Sequence, residues 1–417
     1  ALSAGRRAVF LFPYRALVAE KHEEFRALYG QRLGHRVIRC TGDYQDDVGA
    51  FLRGKYDLAV LTYEAFLALA LSRRGVLESI GLVVVDEAHF IADPTRGINV
   101  ELLLSLVLRG RQRGLVPQLV ALSAVVGNLN GFDQWLGCAS LLTRIRPVPL
   151  LEGVLDRSGT FEFLDEQGTR RTEQLLPASA IVQRGREASS QDVLVPLAKR
   201  LLAASAAERL LIFRNTKGAS AGCAAYLANE LGLPGADEAL RRIVAADGST
   251  QTAKLRECLA KGTAFHNADL TRGEREAVET EFRRRDGGVR ALVATSTVAA
   301  GVNTPASTVV IVEHTFRGET DTPYSIATYK NMAGRAGRFG YAERGRSILL
   351  ADGSGERRRL FDHYVMGTPE PMTSAFSSGD LDTWVLRLFT QVDTVPRAEA
   401  PALLSGTFGG FLAARSS

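Results

Sequence analysis

The stretch LVVVDEAHFIAD, residues 82–93, places four apolar residues directly in front of the acidic pair Asp86 and Glu87. A short apolar run of this kind is typical of a strand buried on both faces of a parallel sheet. Two adjacent carboxylates at the end of a buried strand cost free energy unless something binds them. Because ligands gather at the carboxyl ends of strands in open parallel sheets, the pair predicts a binding site at that edge.

Short apolar runs alternate with helical patterns along most of the chain, which predicts βαβ units and the α/β fold class. In the first half, buried strands are predicted at residues 6–13, 56–62, 80–87 and 117–124. In the second half, they are predicted at residues 210–216, 290–296, 308–314 and 346–352. Two tandem parallel-sheet domains are therefore expected.

The chain is expected to divide into three parts. The first is a parallel-sheet domain over residues 1–187, which ends in a small β excursion with a turn near residues 166–168. The second parallel-sheet domain covers residues 188–368. Residues 369–417 carry an apolar helix face at 381–392 and are expected to form a small helical or winged module.

The composition argues against several classes of protein. No apolar run approaches the roughly 20 residues that cross a bilayer, so no membrane partner is expected. The four cysteines lie far apart and form no C-x-x-C pair, which argues against a disulfide framework or a zinc site and favours a reducing cytoplasm. The net charge of +5 and the pI near 9.1 are compatible with a polyanionic partner, but many proteins without one share them.

Asp86 and Glu87 are of the residue types that nucleotide hydrolysis requires. In that chemistry one carboxylate holds Mg²⁺, usually through water, and a second orients or deprotonates the attacking water. The alternative is a solvated strand end followed by an ordinary helix cap. Since the pair directly follows four apolar residues, the metal-and-base interpretation is favoured.

The segment YKNMAGRAGRFG, residues 329–340, contains Arg335 and Arg338. Three residues apart on a helix, the two arginines would share a face and reach one anion. A guanidinium fork stabilises charge that develops on a transferring phosphoryl group. A basic, Gly-rich loop that touches solvent or any phosphate is the alternative.

The segment ALVATSTVAAGVNTPA, residues 291–306, runs from a predicted strand into hydroxyl residues and then to Gly301 and Asn303. Backbone N–H and hydroxyl groups in such a loop bind phosphate oxygens without reading bases. A strand followed by an Ala-rich turn is the alternative.

Taken in order, these segments resemble the motifs of the superfamily two DEAD/DEAH-box helicases. The resemblance is to the Ski-type branch, which contains archaeal repair helicases and the helicase part of DNA polymerase theta, and it covers nearly the whole chain. The matching segments are residues 11–21, 61–66, 86–89, 122–137, 210–220, 264–283, 291–306 and 329–340. The family implies two RecA-like domains with ATP in the cleft between them, a nucleic-acid strand across their tops and a partial winged-helix module at the C-terminus.

The resemblance also implies roles for individual residues. Glu87 would activate the hydrolytic water, and Arg335 and Arg338 would reach the phosphates. Asp86 is expected to hold the Mg²⁺ that accompanies the nucleotide. The nucleotide itself is expected to contact His89, Gly301 and Asn303. The nucleic-acid strand is expected along Pro13, Arg15, Thr62, Glu64, Thr216, Thr295 and Thr297. Because those contacts go mainly to the phosphate backbone, affinity should depend on salt, with little sequence preference.

The family also places a strand-separating β-hairpin between its last two motifs. Residues 312–327, VEHTFRGETDTPYSIA, have the length and the turn residues for it. Phe316 or Tyr324 is then expected to stack on an opened base pair. An ordinary surface loop is nearly as compatible with these residues.

One motif of the family is not in the sequence. Phosphate-hydrolysing sites of this kind use G-x-x-x-x-G-K-[ST], and the Gly54-Lys55 pair is followed by Tyr56, which does not fit. Since the family's loop lies shortly before the segment at 11–21, we expect the sequence to be truncated there, and again before the family's ratchet domain. Val125 and Asn331 stand where the family has threonine and glutamine, which bears on coupling more than on nucleotide chemistry.

The expected function is therefore an ATP-dependent helicase that moves 3′ to 5′ on nucleic acid, with DNA favoured over RNA. ATP and Mg²⁺ are the expected cofactors, and single-stranded or tailed duplex nucleic acid is the expected partner. Two alternatives stay open. One is a nucleic-acid-binding or scaffold module that does not hydrolyse ATP by itself, and the other is an RNA helicase of the same branch.

Overall fold

The chain folds as two compact units in a computed structural model. The residues that the structure describes are 1–73, 75–112, 114, 117–143, 145–243, 249–284, 288–296, 306–318, 320–337, 344–377, 401 and 405–416. The first unit comprises Ala1–Leu142 with Glu370–Ser417, and the second comprises Thr143–Pro369. Within the described ranges, no helix is both long enough and apolar enough to cross a membrane.

Some predicted features lie outside the described residues. They are the apolar helix face at 381–392 and the candidate site residues Thr297, Gly301, Asn303 and Arg338.

The first unit is built on a five-stranded parallel sheet with the strand order β2-β3-β1-β4-β5. Its strands are β1 (Arg7–Phe12), β2 (Val37–Cys40), β3 (Leu58–Thr62), β4 (Ile80–Val85) and β5 (Gln118–Ala121). Its helices are α1 (Arg15–Phe25), α2 (Val48–Leu52), α3 (Tyr63–Ser72), α4 (Gly97–Gln112), α5 (Phe132–Leu136) and a C-terminal helix, Phe408–Ser416. Parallel pairing requires such crossover connections between successive strands.

The register of the central strands brings three chain segments to one edge of this sheet. Phe12 of β1 pairs with Thr62 of β3, and Leu11 pairs with Val85 of β4. All five residues of β3 are buried, which explains why its sequence is a continuous apolar run rather than an alternating one. The residues that follow β1, β3 and β4 therefore meet at the carboxyl edge, where Asp86 and Glu87 lie.

The second unit contains an eight-stranded sheet with the order β10-β11-β9-β12-β15-β6-β7-β8. Its strands are β6 (Leu150–Asp156), β7 (Thr160–Leu164), β8 (Arg170–Gln174), β9 (Leu210–Arg214), β10 (Thr263–His266), β11 (Ala291–Thr295), β12 (Thr308–Ile311) and β15 (Gly345–Ala351). Two short strands, β13 (Thr315–Phe316) and β14 (Thr322–Pro323), form a separate hairpin. The helices are α6 (Gln191–Ala204), α7 (Lys217–Leu231), α8 (Asp237–Arg242), α9 (Thr250–Leu259), α10 (Arg272–Arg283), α11 (Ile326–Ala333) and α12 (Ser354–Leu360).

The strands from β10 to β6 are parallel, whereas β7 and β8 are antiparallel additions at one edge. The prediction of two α/β domains with parallel sheets is confirmed, and the second sheet is mixed.

The two units meet in the sequence at Leu142 and Thr143, whereas the sequence pattern placed the boundary after residue 187. The reason is the partner of β6. Its seven residues pair in parallel with β15, from Gly345 with Leu150 to Ala351 with Asp156. The β excursion at 146–187 therefore belongs to the second unit's sheet, and a local pattern does not reveal a partner so distant in the chain.

A buried carboxylate joins the C-terminal segment to the first unit. Glu101 on α4 has no exposed surface. It accepts hydrogen bonds from Ser374 Oγ at 2.7 Å and from the Gly409 N–H at 2.6 Å. Burial raises the pKa of Glu101 to about 7, although the hydrogen bonds that it accepts oppose the shift.

The raised pKa of Glu101 predicts a pH-dependent part of the stability. The pKa rises from its ordinary value of 4.5 to about 7 on folding. The carboxyl's contribution to the free energy of unfolding is therefore full below about pH 4.5 and is lost as the pH rises through 7. We expect Glu101→Gln to remove this loss, because an amide does not ionise. Urea unfolding across this range, followed by tryptophan fluorescence, measures it.

Glu78→Gln is the matched control, because Glu78 is exposed and lies at the opposite end of β4 from the acidic pair. It should keep the pH slope of the unmodified protein. A Glu101→Gln protein with that same slope would contradict the assignment.

Candidate functional site

The acidic pair after β4 lies on a turn that is bonded to the strands on both sides. The Asp86 N–H donates to Leu11 O on β1 at 3.0 Å, and the Ala88 N–H donates to Leu122 O beyond β5 at 2.8 Å. The Asp86 carboxylate accepts the Glu87 N–H at 3.0 Å. The direction in which the pair points is therefore set by the sheet.

Glu87 has a strained backbone, with φ at +52°. Non-glycine residues in this left-handed region cost about 1 kcal/mol or more and persist where neighbouring contacts over-determine them. The contact here comes from Tyr63, which is fully buried and donates its hydroxyl hydrogen to Asp86 O. Sequence reasoning missed Tyr63, and the signal for it was a large aromatic residue directly after the predicted strand-contacting Thr62.

His89 joins the pair to the segment after β5. Its Nδ1 lies 3.0 Å from Ser123 Oγ and 3.3 Å from Glu87 Oε2. Burial lowers the pKa of His89 to about 4, so the imidazole is neutral at pH 7. Ser123 was also missed, although the segment that contains it was recognised. The His89 imidazole thus links the acidic turn to the segment that follows β5.

The electrostatics of Asp86 and Glu87 fit a divalent cation whose other ligands are oxygens of water and phosphate. Burial raises the pKa of Asp86, and the charge of Glu87 raises it further. A cation would reverse both effects. Among the described residues, no three His, Cys, Asp or Glu side chains are grouped to hold a metal ion. A pair of adjacent carboxylates is of the kind that Mg²⁺ takes, since this ion uses one or two carboxylates and completes its shell with water and phosphate.

The first unit's predicted strand contacts lie around the same edge. Pro13 is buried, and its carbonyl accepts a hydrogen bond from Arg96 at 2.7 Å. Arg15 is exposed and pairs with Asp43 at 2.6 Å, a surface ion pair of the kind worth about 0–1 kcal/mol. Glu64 is half-buried in the first turn of α3, where its charge favours the helix N-terminus.

Two predicted threonine contacts are helix caps. Thr62 is buried, and its Oγ1 accepts the Ala65 N–H at 3.3 Å at the start of α3. Thr216 caps α7 in the same way, by accepting the Ala219 N–H at 3.1 Å. Both hydroxyls are thus used in the fold, and each stands where a helix N-terminus offers backbone N–H groups to an anion. Thr295 is buried at the end of β11, beside the strand that leads to Thr216.

The helix predicted across the two arginines is wrong. Helix α11 ends at Ala333, so Arg335 lies in a turn beyond it, and Arg338 lies outside the described residues. Gly337 has φ at +69°, and a Cβ placed on it would lie 2.6 Å from the Cα of Gly345. The close approach to β15 bends the chain there. Arg335 itself is nearly buried.

The structure has a β-hairpin where a strand-separating hairpin was predicted. Strands β13 and β14 pair antiparallel, with Phe316 opposite Thr322. Phe316 is 40% exposed, whereas Tyr324 is 3% exposed and packs edge-on against Phe316. The Tyr324 ring is therefore covered in the structure, and its stacking role stays a prediction. Phe316 is the exposed ring of the pair.

Comparison with known proteins identifies the family. Residues 1–130 match the DEAD/DEAH box helicase family, and residues 197–340 match the helicase conserved C-terminal domain. A relative from Pyrobaculum calidifontis, described as ATP-dependent DNA helicase Hel308, is 34% identical over 382 residues, which are 89% of this chain and 49% of the relative. The two domain matches assign the chain to the superfamily two DEAD/DEAH-box helicases, and it is similar to Hel308 relatives.

Two further relatives carry the same description. The protein from Pyrococcus abyssi is 32% identical over 385 residues, or 90% of this chain and 48% of the relative. The protein from Thermoplasma volcanium is 31% identical over 369 residues, or 88% of this chain and 49% of the relative. The chain spans about half the length of these Hel308 relatives. The resemblance to superfamily two helicases that the motifs predicted is confirmed.

The contact between Tyr63 and the DEAH turn predicts a measurable stability effect. Tyr63→Phe leaves the Asp86 carbonyl without this donor, and an unsatisfied buried carbonyl costs about 1–3 kcal/mol. We expect the free energy of unfolding of the first unit to fall by about that amount in urea titrations. Tyr29→Phe, which removes a hydroxyl from a partly exposed ring, should change it by about 0.5 kcal/mol or less. Equal effects from the two substitutions would show that the Tyr63 hydroxyl does not hold the turn.

Proposed function

We propose that this chain is the core of an ATP-dependent helicase that acts on DNA and moves 3′ to 5′. The observation that carries the proposal is the strained acidic turn at the carboxyl edge of the first sheet. Tyr63 holds the backbone of this turn through a hydrogen bond, and Ser123 contacts the neighbouring His89 imidazole. Such strain collects at functional sites, since a purely structural turn gains nothing from it.

Each residue of the turn has a distinct task in this proposal. Glu87 would accept a proton from the attacking water, and Asp86 would hold Mg²⁺. Bound Mg²⁺ supplies positive charge that neutralises the phosphate oxygens during transfer. His89, neutral at pH 7, accepts or donates one hydrogen bond without adding charge beside the nucleotide. Arg335 stabilises the charge that develops on the transferring phosphoryl group.

Arg338, Gly301 and Asn303 keep the roles that the family motifs give them, Arg338 at the phosphates and the other two at the nucleotide. Thr297 belongs with Thr216 and Thr295 on the nucleic-acid strand.

The nucleic acid is proposed to bind along the carboxyl edges of the sheets. The helix N-termini at Thr62 and Thr216 and the weakly paired Arg15 favour phosphate groups over bases. Affinity should therefore fall steeply with salt and vary little with sequence. DNA is favoured over RNA because the Hel308 relatives are described as DNA helicases. An RNA helicase of the same branch differs mainly in contacts to the 2′-hydroxyl.

A second candidate function follows from one sequence observation. The 417 residues contain no G-x-x-x-x-G-K-[ST] segment to cradle the β- and γ-phosphates. By this alternative, the 417 residues bind nucleic acid without hydrolysing ATP by themselves. Measuring ATP hydrolysis with single-stranded DNA, on this chain and on the complete gene product, separates the two functions. Hydrolysis by the complete product alone would support the helicase with a phosphate cradle outside these residues, and hydrolysis by neither would support the binding module.

Replacing the proposed base tests the catalytic assignment. Glu87→Gln should lower DNA-stimulated ATP hydrolysis by about 10²-fold or more, because removal of a general base costs about 10²–10⁴-fold. Binding of single-stranded DNA should stay unchanged, since the amide keeps the shape of the turn. The exposed Glu78→Gln is the control and should hydrolyse ATP normally. Full hydrolysis by Glu87→Gln would end the assignment of Glu87 as the base.

Replacing the exposed hairpin ring separates unwinding from hydrolysis. Phe316→Ala should slow unwinding of a tailed duplex by about tenfold, because stacking on one base is worth about 1–3 kcal/mol. ATP hydrolysis stimulated by single-stranded DNA should be unaffected. Met366→Ala, at an apolar side chain that is even more exposed, is the control for loss of surface area. Unwinding at the normal rate by Phe316→Ala would remove the ring from the mechanism.

A further inference from the structure

The segment RPVPLLE, residues 146–152, lies between the two family matches, which cover residues 1–130 and 197–340. It leads into β6 and belongs to the second unit. Arg146 and Val148 reach the turn Gly334–Gly337, which carries Arg335, and Glu152 reaches the helix in front of that turn. The segment and the turn are distant in the chain: Arg146 and Ala336 are 190 positions apart.

The first contact is a hydrogen bond to the residue after Arg335. Arg146 Nη2 donates to Ala336 O at 3.1 Å. Arg146 as a whole is an exposed residue, and the charge on its guanidinium makes this bond stronger than one between two neutral groups. Arg146 therefore holds the carbonyl side of the turn.

The second contact is steric. The Gly345 N–H donates to Pro149 O at 2.8 Å, which fixes the start of β15 against the segment. A Cβ on Gly337 would lie 2.6 Å from Gly345 and 3.0 Å from Val148 Cγ1. The turn is thus packed between the segment and β15 with no room for a side chain at Gly337.

The third contact is an ion pair to the helix in front of the turn. Lys330 Nζ on α11 lies 2.7 Å from Glu152 Oε1 and also 2.7 Å from Val365 O. The Lys330 and Glu152 side chains are 21% and 13% exposed, so solvent screens the pair less than a surface pair. Glu152 therefore fixes the helix, as Arg146 fixes the turn that follows it.

We propose that Arg146 and Glu152 are positioning residues, which hold the turn Gly334–Gly337 and so determine where Arg335 lies. Neither residue touches a reacting group in this proposal. Placement matters because a misplacement of about 1 Å in a catalytic group can cost about 10²-fold in rate. The catalytic consequence rests on the proposed function of Arg335, whereas the positioning itself can be measured without nucleotide.

Hydrogen exchange at the turn tests the positioning directly. The Ala336 N–H donates to Ala333 O at 3.1 Å and the Gly337 N–H to Ala306 O at 2.9 Å, so both amides are protected while the turn is held. Arg146→Ala and Glu152→Gln should speed their exchange by about tenfold, and Arg146→Lys should speed it less because it keeps a donor. The exposed Arg186→Ala is the control and should leave exchange unchanged. Unchanged exchange in both Arg146→Ala and Glu152→Gln would overturn the proposal.

A double-mutant cycle on the complete gene product then tests the route of action. Arg146→Ala should lower kcat for ATP hydrolysis by about tenfold with little change in KM, and Arg146→Lys should restore part of it. If Arg146 acts through Arg335, the double variant Arg146→Ala with Arg335→Ala should lose no more than Arg335→Ala alone. Fully additive losses would overturn this route. Normal hydrolysis by Arg335→Ala would instead reject the proposed function of that arginine, and the exchange result would still decide the positioning.

Discussion

One backbone turn after β4 carries the constraint on which the first unit's chemistry depends. Asp86 and Ala88 donate to carbonyls on either side, and Tyr63 donates to the Asp86 carbonyl. Together these bonds keep Glu87 in a left-handed conformation that a free chain would leave. The backbone therefore sets the direction in which the Asp86 and Glu87 carboxylates point.

The second unit solves a related problem in a different way. The turn Gly334–Gly337, which carries Arg335, is also irregular backbone, and it follows helix α11. It is held by close packing, whereas the acidic turn has a strained charged residue. Gly337 supplies the positive φ, and Gly345 allows β15 to approach. Arg146 donates to the carbonyl of Ala336, which lies between Arg335 and Gly337. In both units, then, the polar residues of interest sit on turns whose geometry is decided by strands distant in sequence.

This dependence on distant partners explains what sequence reasoning predicted and what it missed. Apolar runs predicted the strands because burial on both faces leaves a local signature. The spacing of Arg335 and Arg338 predicted a helix, and it failed because contact with β15 overrides local spacing. Tyr324 was offered as a stacking ring, and no local pattern reveals that Phe316 and the core cover it. Tyr63 and Ser123 lay within recognised segments, but their hydrogen-bond partners are defined only by the sheet.

The return of the C-terminal segment to the first unit has a consequence for folding during synthesis. Glu101 and its partners Ser374 and Gly409 are separated by 273 and 308 residues. At about 5–20 residues per second, a ribosome takes about 15–60 s to supply the second partner. Until then, Glu101 lacks the two donors that bond it in the folded unit. The nascent first unit is thus incomplete while the second unit emerges and folds, and it is a natural client for a chaperone during that interval.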